Sequence, residues 1–325
     1  MVPGGRRHRR RQPAGTRARR NAAQGPRHGS RSRNRMAGRG ERRMKELPVV
    51  SVNGKLLHAS DARISPFDRG VRMGDGLFET IRVRSGRILR LGDHLNRLLS
   101  SCVALDFPAP DHGGLVQAAL DFMHKTGIRE GALRITLTRG EAGGVWPSGD
   151  VSPLLLITAS EGVPYPPAAL ETGLKAAVID DPVRVQGLLS RHKVTSYIPS
   201  IIARRLALEQ GADVAIMLNC DGNVAEADCA NIFVVTDDDE IVTPPVDEGA
   251  LPGISRARLL KAMPEIEERP VSADDLYDAL EVVFTNALMP AAAAASVDET
   301  PLEEREFFRR ALAALERDAD RENSP

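Results

Sequence analysis

Three short stretches carry side chains whose types and order could do chemistry. Lys193 lies in Ser190-Arg191-His192-Lys193-Val194-Thr195-Ser196-Tyr197, Glu226 in Val224-Ala225-Glu226-Ala227-Asp228, and a Gly-x-Ser in Leu251-Pro252-Gly253-Ile254-Ser255-Arg256. A lysine becomes a nucleophile when burial or a neighbouring cation pushes its pKa down, because only the neutral amine condenses with a carbonyl. A carboxylate beside a pyridine nitrogen keeps that nitrogen protonated, so the ring can draw electrons. Backbone N–H groups of Gly253, Ile254 and Ser255, opening a predicted helix, can receive a phosphate at the positive end of the helix dipole. In that order the three suit a site that holds a phosphorylated pyridine aldehyde as a Schiff base. One at a time, each has an ordinary reading: a loop lysine, a solvated turn acid, a serine N-cap. Lysine is scarce here, six residues against 38 arginines, so Lys193 is less casual than in a lysine-rich chain. Arg97, in His94-Leu95-Asn96-Arg97-Leu98, is alone a surface charge, but its planar fork suits phosphate.

Alternating and helical patterns supply the elements that must position these groups. Val49-Val50-Ser51-Val52 and Lys55-Leu56-Leu57 flank Asn53-Gly54, a hairpin signal, and residues 78–89 repeat the plan around Ser85-Gly86. Residues 91–105 have helical spacing, with Leu95, Leu98, Leu99 and Val103 assigned to one apolar face. A second helix is predicted over 114–126, and strands over 132–139 and 154–158. Pro164-Tyr165-Pro166-Pro167 can continue neither a helix nor a sheet interior, which places a connection at 161–170 between units 45–160 and 171–325. The second unit reads as strands at 174–178, 214–218, 231–235, 240–243 and 282–285, and helices at 197–210, 255–263 and 301–317. The run Ala291 to Ala295 receives no element.

A length of 325 residues fits two folded units, and 42% hydrophobic residues suffice for their cores. The formal net charge of +0 hides an asymmetry: residues 1–44 hold fifteen arginines and one acid, Glu41. Such a segment cannot bury enough apolar surface to offset its ordering entropy and is expected to be disordered. A nucleic-acid-binding arm and an Arg-rich transit peptide are alternatives to the favoured origin, translated upstream sequence before a start at Met36 or Met44. The arm has no aromatic residues to stack bases, so nucleic acid is not expected as a partner. No apolar run reaches the roughly 18 residues of a membrane span. Cys102, Cys220 and Cys229 are odd in number and scattered, which reads as reduced thiols in a cytoplasmic protein, and no spacing suits a metal site.

Taken together, these stretches make the chain resemble the class IV aminotransferases, the fold type IV pyridoxal-phosphate enzymes. The resemblance spans about 49–290 and rests on Ser65-Pro66-Phe67-Asp68-Arg69-Gly70, Gly74-Asp75-Gly76-Leu77-Phe78-Glu79-Thr80, His94-x-x-Arg97-Leu98, Lys193-x-x-x-Tyr197, Glu226-x-x-x-x-Asn231-Ile232-Phe233 and Leu251-Pro252-Gly253-Ile254-Ser255-Arg256. It implies a mixed α/β (α+β) fold, with a small N-terminal α/β domain and a larger C-terminal one that hold pyridoxal 5′-phosphate between them in a homodimer. Lys193 would carry the cofactor and shuttle the proton, Glu226 would hold the pyridine nitrogen and Tyr197 the phenolic oxygen. Arg97, Gly253, Ile254 and Ser255 would bind the phosphate.

Within that family, Thr285-Asn286-Ala287-Leu288-Met289-Pro290 resembles the 4-amino-4-deoxychorismate lyases, whereas branched-chain aminotransferases carry a Ser-Gly-Thr-Ala-like segment whose Thr appears here as Ala287. Leu133-Arg134-Ile135-Thr136-Leu137-Thr138-Arg139-Gly140 is similar to the lyase and D-amino-acid branches. Gly144-Val145-Trp146-Pro147 departs from the Gly-Arg-Gly-Tyr often found in lyases. The leading expectation is a lyase releasing pyruvate and forming 4-aminobenzoate; the alternative is a branched-chain or D-amino-acid aminotransferase using 2-oxoglutarate. For the carboxylates of a small-molecule amino substrate the candidates are Arg139 and the backbone amides of Ala287 and Leu288.

Overall fold

The computed structural model describes residues 44–147, 151–165 and 167–323. The Arg-rich segment 1–43, with its expected disorder and upstream origin, lies outside the described residues. The expected mixed α/β architecture is present as two sheets with helices packed on them.

The first sheet uses β1 (Lys45–Glu46), β2 (Val49–Val52), β3 (Lys55–His58), β4 (Gly76–Arg84), β5 (Arg87–Ile88), β6 (Gly131–Thr138) and β7 (Leu154–Glu161), in the order β3-β2-β7-β6-β4-β5 with β1 on β7. Both predicted hairpins form. Asn53 and Gly54, at φ 50° and 79°, turn β2 into β3 with the left-handed pair that matches strand twist. The short α1 (Arg69–Met73) precedes β4, and α2 (Leu91–Ala104) and α3 (His112–Thr126) cover the sheet. Leu95, Leu98 and Cys102 of α2 are buried with Ile81, Leu133 and Phe122, whereas Val103, expected on this face, is 80% exposed. Cys102 completes the stripe at i+4 from Leu98 and i+7 from Leu95, which turns Val103 to solvent.

Beyond β7, Pro167 opens α4 (Pro167–Thr172), where its missing N–H is one of the helix's unbonded donors in any case. There follow β8 (Leu174–Arg184), α5 (Ile198–Glu209), β9 (Val214–Asn219), β10 (Val224–Ala227), β11 (Asn231–Val235), β12 (Ile241–Thr243), α6 (Ile254–Ala262), β13 (Glu267–Glu268), α7 (Ala273–Tyr277), β14 (Glu281–Thr285), β15 (Ala292–Val297), β16 (Thr300–Pro301) and α8 (Glu306–Asn323). Their sheet runs β10-β9-β8-β15-β14-β11-β12-β13, with β16 on β15. The alanine run is thus a central strand. Alanine favours helix, but Ala292 and Ala294 pack into one core and Ala291 and Ala293 into the other, so burial on both faces overrides propensity. The last helix starts five residues later than expected because Thr300 and Pro301 extend the sheet, and because Glu281 of β14 accepts the Phe307 and Phe308 N–H groups at 2.8 and 3.0 Å. Among the described residues no helix is long and apolar enough to cross a membrane.

Candidate active site

Lys193 follows a single 3-10 turn and is fastened to β4. The Phe78 N–H donates to the Lys193 carbonyl at 2.9 Å, and the Thr195 N–H donates to the Gly76 carbonyl at 2.8 Å. This pairing from the second half onto the first sheet fixes where the side chain starts. Its Nζ lies 4.4 Å from the centroid of the Phe78 ring and 5.8 Å from that of Tyr197. Burial, helped by the Arg97 charge and resisted by Glu79 and Glu226, lowers the Lys193 pKa to about 8. A tenth or so of the amine is therefore neutral near pH 7, far more than for an exposed lysine.

Glu226 sits on β10 at a register shift between Val224 and Glu226, and a bulge of this kind re-aims the side chain at it. One carboxylate oxygen is 2.8 Å from Arg184, and the other accepts the Leu251 N–H at 2.9 Å. Burial nevertheless raises the Glu226 pKa, against the pull of Arg184 and that N–H. A third donor, itself cationic, would suit this carboxylate. Arg184 had no local signal in the sequence: it lies at the far end of β8, past another register shift.

The phosphate candidates converge from both halves. Gly253 is the N-cap of α6 with no side-chain capping bond, and a Cβ there would stand 1.9 Å from Asn231 Oδ1, so only glycine fits. The Ser255 hydroxyl, close by, donates to the Asn286 carbonyl at 3.0 Å. Arg97 reaches across from α2 and donates to the Pro252 carbonyl at 3.0 Å. Its Nε and Nη2 form a fork on the two oxygens of Glu79, at 2.8 and 2.7 Å, and His94 Nδ1 lies 2.7 Å from Glu79 Oε2. Desolvation opposes ionisation of Glu79, but the bonds from His94 and Arg97 win and lower its pKa to about 2. Arg97 keeps N–H groups on both terminal nitrogens beyond those bonds. Sequence reasoning passed over Glu79, although a signal was there: it alternates with Leu77, Ile81 and Val83 on the core face of β4, where an acid demands a partner.

The remaining expected residues divide. The Tyr197 hydroxyl donates to the Asp228 carbonyl at 3.2 Å, and burial raises its pKa, so it remains a phenol. Arg139 is tied elsewhere, to Asp75 and to the Leu105 and Asp106 carbonyls, with its guanidinium 4.1 Å above the Phe107 ring. The Leu288 N–H is committed to Asn286 Oδ1, and Ala287 lies within the same turn. Sequence reasoning passed over Arg134. Its guanidinium carbon lies 3.7 Å from the centroid of the Phe78 ring, and among the described residues it has no hydrogen bond or ion pair. The register explains the contact: Phe78 opposes Thr136, so Arg134 is its diagonal neighbour on one face.

An amine of lowered basicity, a buried carboxylate and a helix N-terminus that excludes side chains are the donor set that pyridoxal 5′-phosphate requires. The comparisons agree. A protein of Methanocaldococcus jannaschii provisionally assigned as a branched-chain-amino-acid aminotransferase is 32% identical over 73% of this chain and 83% of its own length. A bifunctional aminodeoxychorismate lyase and D-amino acid transaminase of Mycobacterium tuberculosis is 29% identical over 77% of this chain and 91% of its own. The crystal structure of a 4-amino-4-deoxychorismate lyase from Pseudomonas aeruginosa superposes with a TM-score of 0.75 at 28% identity, covering 83% of this chain and 99% of that one. The family model described as amino-transferase class IV matches residues 76–297, and the chain belongs to this family of pyridoxal-phosphate-dependent enzymes.

Proposed function

We propose that the enzyme acts on an amino substrate bearing carboxylates and that its reaction is the cleavage of 4-amino-4-deoxychorismate to 4-aminobenzoate and pyruvate. The observation that carries the substrate class is Arg134, a half-buried guanidinium with no protein partner among the described residues, sharing the Phe78 ring with the Lys193 amine. A charged group of this kind calls for an anion, and a carboxylate matches its fork. The 285–290 turn favours the lyase. Beside Ala287, which stands where the Ser-Gly-Thr-Ala form has its Thr, Asn286 locks the turn to the cradle: its Oδ1 accepts the Leu288 and Met289 N–H groups, its Nδ2 donates to the Cys229 carbonyl, and its own carbonyl accepts from Ser255.

Pyridoxal phosphate, when bound, supplies the aldehyde that takes up the substrate amine and the ring that accepts an electron pair. Lys193, Tyr197 and Glu226 would face the rest of the cofactor, and Arg97, Gly253, Ile254 and Ser255 its phosphate. Arg134 anchors a substrate carboxylate, and Phe78 and Tyr197 wall off water. Lys193 Nζ takes the proton from the carbon bearing the amine. The bond from the neighbouring ring carbon to the enolpyruvyl oxygen then breaks, and a proton delivered to the departing methylene yields pyruvate while the ring becomes aromatic.

The second reading is a branched-chain or D-amino-acid aminotransferase, favoured by the archaeal relative and by the double activity named for the mycobacterial one. Incubating holoenzyme with 4-amino-4-deoxychorismate, and separately with leucine or D-alanine plus 2-oxoglutarate, separates the two. Release of 4-aminobenzoate with pyruvate supports the lyase; glutamate without 4-aminobenzoate overturns it. We place the enzyme in the cytoplasm, which suits its scattered cysteines, with the cofactor held between domains 45–160 and 171–325 of a homodimer. Exposed Phe67, Val71, Leu188, Leu189, Ile198 and Ile201 supply apolar surface for a second copy. Light scattering that finds a monomer under assay conditions rules the pair out.

A further inference from the structure

Arg97 and the α6 N-terminus belong to different halves of the chain, yet a phosphate held by both needs them at one fixed separation. One helical turn behind each lies a charged partner. Asp93 precedes Arg97 by four residues on α2, and Arg258 follows Ile254 by four on α6. These two are joined: Arg258 Nε donates to Asp93 Oδ2 at 3.1 Å, and Nη2 donates to the same oxygen. The remaining nitrogen, Nη1, donates to Asp318 Oδ1 at 3.0 Å, on the C-terminal helix α8. Asp318 Oδ2 in turn accepts from Arg90 Nη2 at 2.9 Å and Nε at 3.2 Å.

Arg90 is the residue on which α2 begins. Its backbone is left-handed, φ 57° and ψ 35°, a region that side-chain-bearing residues enter only when their surroundings hold them there. The Asp318 pair and the bond from Nη2 to the Leu315 carbonyl at 3.1 Å hold it from α8. Single exposed ion pairs add little to stability. This set does something different: one carboxylate on α8 grips the start of α2 and the body of α6 at once, and the Arg90 side chain is only 7% exposed.

We propose that Asp318 is a positioning residue for the cofactor phosphate, through which the C-terminal helix sets the spacing between Arg97 on α2 and the cradle at the start of α6. The proposal rests on the assignment of Arg97, Gly253, Ile254 and Ser255 as that cradle, and its test separates the two. Pyridoxal 5′-phosphate and pyridoxal, which lacks the phosphate, are titrated into the full-length apoenzyme as wild type, Asp318→Asn, Asp318→Glu and Ser255→Ala. Asp318→Asn should weaken the phosphorylated ligand about ten-fold and leave pyridoxal unchanged, since coupled neighbours shift binding by amounts of this order. Asp318→Glu should recover most of the loss, and Ser255→Ala should show the same phosphate-selective defect. Equal weakening of both ligands by Asp318→Asn means general loosening and overturns the proposal. Selective loss in Ser255→Ala alone overturns the role of Asp318 while sparing the cradle, and no selectivity in either removes the cradle assignment and the proposal with it.

Discussion

Glu79 in the first sheet and Glu226 in the second are both buried carboxylates paired with arginine, yet their acidities move in opposite directions. Glu79 has a forked arginine and a histidine, and its pKa falls to about 2. Glu226 has one arginine contact and one backbone N–H, and burial prevails, raising its pKa. The difference teaches which carboxylate is finished and which is waiting. Glu79 has protein donors on both oxygens, two of them from the guanidinium, and serves to hold Arg97. Glu226 retains a demand for positive charge, which a protonated pyridine nitrogen would meet under the proposed assignment.

The sharpest break is between either acid and the amine. Lys193→Met should lower turnover by about four orders of magnitude or more and abolish any cofactor absorbance that borohydride bleaches, because methionine supplies no amine in place of Nζ. Wild-type-like turnover in this variant would remove the chemistry from Lys193 altogether. Glu226→Gln comes next. It keeps the shape and discards the charge, so turnover should fall about a hundred-fold, comparable with deleting one preorganised electrostatic contact. Its folding behaviour is the more telling measurement. A carboxyl whose folded pKa is raised contributes stability that is full below the unfolded pKa and lost as pH rises through the folded value. The contribution of Glu226 to the ligand-free chain therefore falls as pH rises, and Glu226→Gln, which does not titrate, should lose less stability than wild type in urea unfolding over that rise.

The sequence carried much of this site but only one side of the comparison. Lys193, Glu226 and Gly253 were legible because each sits in a local pattern, a loop lysine, a turn acid or a helix start, and Arg97 through the His94-x-x-Arg97-Leu98 motif and its phosphate-matching fork. Arg184 and Glu281 were not, because they act through partners 42 and 26 residues away, joined only once the sheet is assembled. Arg134 stands on β6 and Arg139 directly after its last residue, five positions on, and spacing cannot tell them from one another. Asp75 and the carbonyls of Leu105 and Asp106 bind Arg139, whereas the register of β4 against β6 turns Arg134 toward Phe78. The alanines of β15 were illegible for a related reason: their small size answers to packing on both sides of the sheet rather than to local preference.

Glu79→Gln tests the finished carboxylate. It removes the countercharge from a largely buried guanidinium, which should destabilise the fold by about 3 kcal/mol. The same figure follows from linkage. A carboxyl depressed from 4.5 to about 2 contributes stability that is complete above the unfolded value and disappears as pH falls through the folded one, amounting to about 3 kcal/mol. Wild type should thus lose stability between about pH 4.5 and 2 more steeply than Glu79→Gln, whose curve in that window should flatten. Parallel curves would show that Glu79 is not held as an anion.

Glu281 extends the comparison to a third buried acid, one held by backbone alone. Its two oxygens accept the Phe307 and Phe308 N–H groups at the start of α8, so it performs the work of an N-cap from a different strand and complements the helix dipole. A glutamine there keeps one carbonyl oxygen as acceptor but loses the charge and the second bond, so Glu281→Gln should cost about 1 kcal/mol. Cofactor affinity should not change, because Glu281 sits at the end of α8 opposite Asp318 and touches neither α2 nor the cradle through any bond described. Urea unfolding and a pyridoxal 5′-phosphate titration of the same preparation read both quantities. A variant that kept its stability but lost cofactor affinity would mean that the start of α8, and not the Asp318 end, governs the phosphate site.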